Sequence, residues 1–202
     1  MEDIVPERIG SWMHTSTGKK FFPLDPRPEE ICISDIANGL ALDCRYAGQG
    51  RVDRYYSVAE HSYHMAMYAA KYNSYSLCLA VLLHDAAEAY LNDLPRAVKL
   101  AVGQSYKSLE DNLQDMIFEK YNVLWEYRTH KDYIKNLDNR MVNLEKVAIM
   151  RYPQPWAHDQ YEPLDLITIR CFDPETAKRR FIEAYRLFSK DIVCIPYEEI
   201  EI

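Results

Sequence analysis

Between residues 77 and 99 the chain reads LCLAVLLHDAAEAYLNDLPRAVK. An apolar run leads directly into His84 and Asp85, and Glu88 follows three residues later. The run predicts a helix over residues 77–91 that is buried on most sides. Three ionisable side chains in such a helix need compensation, because unpaired buried charge is costly. A divalent cation is the simplest compensation. His84 and Asp85 can reach one ion from a single turn. Glu88, at i+4 from His84, shares its face and is a carboxylate placed to handle protons. A plainer reading stands beside this one: a core histidine satisfied by its own neighbour.

The chain of 202 residues fits one domain of ordinary size, and 48% hydrophobic residues provide a sizeable core. Only 6 glycines and long helix-periodic stretches predict an all-α fold. The net charge of −7 argues against polymeric nucleic acid or an anionic membrane surface as the main partner, though not against a small phosphorylated ligand. The scattered cysteines, 5 in number and without a CxxC, read as reduced thiols in a cytosolic protein. No run is long and apolar enough to be a transmembrane helix, and the N-terminal residues carry acids rather than a signal-peptide core.

In chain order, three prolines from Pro23 to Pro28 force an extended or turning arm, with a small hairpin over 11–24. Trp12, Phe21 and Phe22 are expected to pack this arm onto the body. A short helix over 34–42 has Ser34 as its cap, and Arg45 follows as a surface cation near its end. Arg51 and Arg54 flank Asp53 and read as solvated. A helix over 56–71 has Ser57 at its N-cap and Glu60 completing a capping box. His61 lies one turn in, with His64 at i+3. Pro95 opens a further helix that contains Lys99, and Asp93 reads most simply as its cap.

An amphipathic helix follows over 105–121, then a loop carrying His130 as an exposed histidine. The most regular helix covers 132–151, with Ile134, Leu137, Met141, Leu144 and Ala148 as its stripe. Asp138 falls at the edge of that stripe, either as a ligand or in a salt bridge. Residues 152–172 are irregular with Trp156 as anchor, a last helix starts at Asp173-Pro174, and an acidic tail covers 191–202.

His61, His84, Asp85 and Asp138 come from three predicted helices, each where burial is expected. Two imidazoles and two carboxylates suit Mn, Co, Fe or Zn better than Ca. Phosphate-ester hydrolysis needs a polarised phosphoryl oxygen, a nucleophile and charge compensation, and such a centre supplies the first two.

The blocks Val58-Ala59-Glu60-His61-Ser62, His84-Asp85-Ala86-Ala87-Glu88-Ala89-Tyr90, Asp93-Leu94-Pro95, Val98-Lys99 and Leu137-Asp138-Asn139-Arg140 go further, with Cys44-Arg45-Tyr46-Ala47-Gly48 and residues 12–28 in support. Their order resembles the HD-domain metal-dependent phosphohydrolases, in particular the branch of bacterial 5′-deoxynucleotidases and phage dATP triphosphohydrolases. The resemblance implies an HD helical bundle in one domain over 1–202: an arm over 1–30, a core over 34–150 and a C-terminal helix over 174–190. It implies that His61, His84, Asp85 and Asp138 hold one divalent transition metal (Zn, Co or Mn), with an additional Mg carried by a triphosphate.

By the same resemblance Glu88 orients or deprotonates water, Arg45 binds phosphate with help from Lys99, and Asp93 accepts a hydrogen bond from the sugar 3′-hydroxyl. The implied activity is hydrolysis of dATP, dADP and dAMP to deoxyadenosine and phosphates by a homo-oligomer in the cytoplasm. A 5′-deoxynucleotidase limited to monophosphates and a non-catalytic nucleotide-binding module are the alternatives. The sequence departs from the family in reading LDNR at the last ligand, and between Asp85 and Asp138 it holds only His130. The second departure favours a single metal.

Overall fold

The structure, a computed structural model, describes residues 7–190; the acidic tail at 191–202 lies outside the described residues. It is all-α apart from one small hairpin, β1 (Met13–His14) and β2 (Lys20–Phe21), paired antiparallel with Met13 opposite Phe21. The helices are α1 (Ile33–Leu42), α2 (Val58–Ala69), α3 (Tyr75–Leu82), α4 (Glu88–Leu91), α5 (Arg96–Val102), α6 (Gln104–Lys120), α7 (Leu124–Thr129), α8 (Lys131–Ile149) and α9 (Pro174–Phe188). The core gathers apolar faces of α1, α2, α8 and α9 around α3, which is buried from Leu77 to Leu82. Asp173 caps α9 by accepting from the Thr176 N–H at 2.9 Å, and Ala177, Phe181, Ala184 and Phe188 face inward as the periodicity requires.

Several local expectations are corrected. Helix α1 starts at Ile33 with Cys32, not Ser34, at its N-cap, and no side chain caps it. The nearby acid is engaged elsewhere: Asp35 is buried and accepts from Ser16 Oγ, Thr17 N–H, Thr17 Oγ1 and Cys32 Sγ at 2.7–3.0 Å, which ties the hairpin to α1. In the arm, Phe21 is buried and stacks on Tyr90 at 4.1 Å, and Phe22 lies under the Arg8 guanidinium. Trp12 is exposed instead, against Lys20. The loop expected after α6 contains α7, and His130 is the half-buried junction of α7 and α8, its Nδ1 3.0 Å from the Glu126 carbonyl oxygen.

The predicted helix over 77–91 is broken. Helix α3 ends at Leu82, residues 83–87 form successive turns, and α4 restarts at Glu88. Short-range bonds run from Ala86 N–H to Leu83 O and from Glu88 N–H to Asp85 O, both 3.0 Å. Gln114 of α6 fills the gap: its Nε2 donates to the Leu83 carbonyl at 2.7 Å, and its Oε1 accepts from the Ala87 N–H at 2.9 Å. The side chain thus satisfies two backbone groups that a continuous helix would pair internally. Gly39 lets α1 approach closely on the other side, since a Cβ there would lie 2.5 Å from the Ala89 carbonyl oxygen.

Candidate metal centre

Three elements bring the expected ligands together. Helix α2 carries His61, the 83–87 turn carries His84 and Asp85, and α8 carries Asp138. His61 Nε2 lies 3.4 Å from His84 Nε2, 3.5 Å from Asp138 Oδ1 and 4.0 Å from Asp85 Oδ2. His84 Nε2 is 3.2 Å from Asp85 Oδ2. Two donors each about 2.1 Å from one ion lie about 3.0–3.5 Å apart at ordinary coordination angles. The His61–His84 and His84–Asp85 separations meet that requirement, the His61–Asp85 separation is wider at 4.0 Å, and the three donors form one group within 4.8 Å. Asp138 reaches the group through His61, while its other oxygen accepts from Lys135 at 2.6 Å. Its neighbours Arg140 and Asn143 are turned away to the Glu162 and Tyr161 carbonyls.

The hydrogen bonds behind the imidazoles assign their tautomers. His84 Nδ1 lies 2.8 Å from the Val81 carbonyl oxygen, so Nδ1 carries the proton. His61 Nδ1 lies 2.5 Å from Glu145 Oε1 and donates to it. Both Nε2 lone pairs therefore face each other, flanked by two carboxylates. A group made only of acceptors repels itself unless a cation sits among them, so this donor set fits a divalent metal.

Glu145 is the residue that the sequence reading missed. It is fully buried and also accepts from the Arg45 Nε at 3.2 Å, the Tyr56 hydroxyl at 2.9 Å and the Tyr46 hydroxyl. Burial pushes its carboxyl up, but Arg45 and His61 outweigh burial and hold it well below the ordinary range. The signal was present in α8: Leu137, Met141, Glu145 and Ile149 follow each other in steps of four and are all buried, whereas the expected Leu144 and Ala148 are only half-buried. Arg45 is not a surface cation. It is buried between Glu145 and Asp85, whose Oδ2 lies 3.6 Å from Nη1. Tyr46 and Ala47 take positive φ (61° and 51°) in the turn that brings Arg45 and Tyr46 inward.

Glu88 opens α4 rather than sharing a helix with His84, and its backbone N–H donates to the Asp85 carbonyl of the adjoining turn. Its Oε1 accepts from Lys99 Nζ at 2.9 Å, and its Oε2 is buried with no hydrogen bond. Burial, then the charges of Asp85 and Asp93, push the Glu88 carboxyl well above the usual range. Lys99 also binds Glu110 at 2.7 Å; burial alone would lower its ammonium, but the two carboxylates outweigh it and raise it. Asp93 is not a cap: α5 has Pro95 at its N-cap with no side-chain bond. The Asp93 N–H donates to Asp43 Oδ2 at 2.6 Å, and burial with the Asp93 charge raises the Asp43 carboxyl.

The capping box on α2 is half present. Ser57 Oγ accepts from the Glu60 N–H at 3.1 Å. The Glu60 carboxylate instead accepts the three consecutive N–H groups of Arg170, Cys171 and Phe172 at 2.6–2.9 Å. A buried acid facing three donors is better satisfied than one folded back on its own helix. His64 lies beside it, with Nε2 3.2 Å from Glu60 Oε1, on the side of α2 away from the ligands.

The chain is 39% identical over 116 residues to an uncharacterized protein of Rhodobacter capsulatus, covering 56% of this chain and 59% of that one. It is 34% identical over 113 residues to the uncharacterized protein YfdR of Escherichia coli, covering 56% of this chain and 60% of that one. The match thus spans about six tenths of the length of each relative. Residues 46–139 match the family described as HD domain, a span holding all four candidate ligands together with Glu88, Asp93 and Lys99. Over residues 46–139 the chain thus matches an HD domain, which supports a family of the HD-domain metal-dependent phosphohydrolase type.

Proposed function

We propose that this protein hydrolyses deoxynucleotide phosphates, dATP first with dADP and dAMP as further substrates, to deoxyadenosine and phosphates, and so depletes the dATP pool. The observation that carries the reading is the facing pair of imidazole Nε2 atoms, 3.4 Å apart and surrounded by acceptors. His61, His84, Asp85 and Asp138 would hold one divalent transition metal, with Zn, Co and Mn matching the ligand types. When bound, such a cation supplies Lewis acidity, polarising a phosphoryl oxygen and acidifying water. An extra Mg would arrive on a triphosphate.

The chain's own residues do the rest. Glu88 Oε2, buried and without a partner, takes the proton as water adds to phosphorus, and that proton passes to O5′ as its ester bond breaks. Lys99 orients that carboxyl through Oε1. Arg45 compensates charge on the phosphate from its place between Asp85 and Glu145. Asp93, whose carboxylate accepts no hydrogen bond among the described residues, receives the sugar 3′-hydroxyl. Assembly into a homo-oligomer belongs to the same proposal and is tested by light scattering.

A second reading, monophosphates only, is favoured by one observation: both candidate phosphate cations are already engaged, Arg45 by Glu145 and Asp85, Lys99 by Glu88 and Glu110. Few positive groups are left for a second and third phosphate. Product analysis with dATP and dAMP, before and after chelation, tests the proposal. The expected result is Mn- or Co-restored release of deoxyadenosine from both. Turnover of dAMP alone selects the second reading, and undiminished turnover after chelation overturns the metal centre.

A further inference from the structure

A cleft of about 580 Å³ opens on the other side of α2, between that helix, the 166–172 segment and α9, and none of the candidate metal ligands lines it. Its volume is that of a small-molecule site. Three cations line it, Lys71, Arg170 and Arg180, and no carboxylate does. In a chain of net charge −7 that concentration is unusual. The nearest acids are committed: Glu60 to three backbone N–H groups and His64, Asp165 to the Tyr68 hydroxyl at 3.1 Å, and Glu183 to Arg179 and Arg180. Lys71 and Arg170 make no ion pair among the described residues. Arg180 Nε is shielded from solvent and donates to nothing, a deficit that an incoming acceptor would remove.

The remaining wall is aromatic. Phe172 stacks with His64 at 5.9 Å and meets the edge of Tyr63 at 6.3 Å, and Tyr68 lies under Lys71 Nζ at 5.1 Å. Cations beside flat rings, two of them without an ion pair and the third, Arg180, sharing Glu183 at 3.2 Å, select an anion that also carries a planar ring.

We propose that this cleft is a second ligand site, separate from the metal centre, that takes a nucleotide, its phosphate on Lys71, Arg170 and Arg180 and its base among Tyr63, Tyr68 and Phe172. The proposal does not rest on the hydrolase reading. The test is equilibrium binding of a non-cleavable phosphonate analogue of dAMP to the full, metal-loaded chain. A site should survive Asp85→Asn and weaken at least about tenfold in Arg170→Ala/Arg180→Ala. Lys71→Glu, at an exposed position, should weaken the same site if the double variant is poorly folded. Binding indifferent to these cleft substitutions overturns the proposal, as does loss of all binding in Asp85→Asn. Inorganic phosphate competing as well as the nucleotide analogue also overturns it, because the rings would then take no part. If the metal centre binds no nucleotide, one site remains instead of two, and that outcome counts against the hydrolase reading alone.

Discussion

His61 Nδ1 and Glu145 Oε1 lie 2.5 Å apart although 84 residues separate them, and both side chains are fully buried. The carboxylate fixes the ring's tautomer and orientation, and the same carboxylate neutralises Arg45. Glu145→Gln keeps the shape and removes the charge. We expect metal affinity to fall about 10–100-fold, the usual cost of losing such a supporting group. Stability should fall by about 3–5 kcal/mol, because Arg45 is left buried without its main partner. Metal titration and urea unfolding check the two effects separately, and unchanged metal affinity would remove Glu145 from the centre.

Glu88 and the ligands should separate by phenotype. Glu88→Ala is expected to keep near-normal metal content and to lose turnover by roughly 10²–10⁴-fold, the range for a positioned general base. His84→Ala is expected to lose the metal itself. Elemental analysis alongside steady-state kinetics decides. Metal loss in Glu88→Ala would make Glu88 a ligand and reopen the role of Asp138.

In the proposed reaction Asp93 reads the sugar, while its backbone rather than its side chain anchors the segment through Asp43. Asp93→Asn should therefore impair deoxynucleotide turnover with little change in melting temperature. A 2′,3′-dideoxynucleotide should be a poor substrate for the unsubstituted protein. Equal rates on deoxy and dideoxy forms would take the sugar contact away from Asp93.

Gln114→Leu leaves the Leu83 carbonyl and the Ala87 N–H without partners in a buried turn. Each unpaired group costs about 1–3 kcal/mol. The urea midpoint should drop accordingly, and metal affinity should fall with it, since the turn carries two ligands. A drop in stability with metal affinity unchanged would show that the turn holds its shape without the clamp.

Asp35 gives the arm its acid sensitivity. Burial pushes its carboxyl up, but hydrogen bonds from Cys32, Ser16 and Thr17 outweigh burial and hold it below the ordinary value. A depressed folded pKa contributes stability that is present above the unfolded value of about 3.9 and is lost as pH falls through the folded value. The unfolding free energy should therefore decline below about pH 4. In Asp35→Asn that part of the decline should flatten, with lower stability at neutral pH. An acid limb identical in both proteins would assign the sensitivity to other carboxylates.

The helical architecture was legible because α2, α8 and α9 bury one face at regular spacing, and two of the candidate ligands, His61 and Asp138, fall on or beside such a face. Asp138 was visible as a carboxylate at the edge of such a face. Glu145 was equally visible, but a stripe drawn through Leu144 and Ala148 hid it. The break at 83–87 was not legible. Leu82, Leu83, Ala86 and Ala87 all tolerate helix, and the interruption comes from Gln114, 27 residues beyond Ala87. Glu60 misled for a similar reason. Its local pattern promised a capping box, while its partners lie 110 to 112 residues away. Local periodicity records which face is buried, not which distant polar group will meet it there.

The packing of Phe21 on Tyr90 has a consequence for what can be cut from this chain. Tyr90 belongs to the short helix that begins at Glu88, so the hairpin props the back of the proposed base. Arg45 lies just before the span shared with the family and Glu145 just after it. Kinship therefore marks out a shorter piece than the piece that can stand by itself. A portable unit has to include the hairpin at one end and α9, which packs on α1, α2 and α3, at the other. An excised 46–139 fragment would carry every candidate ligand and lack the scaffold that aims them.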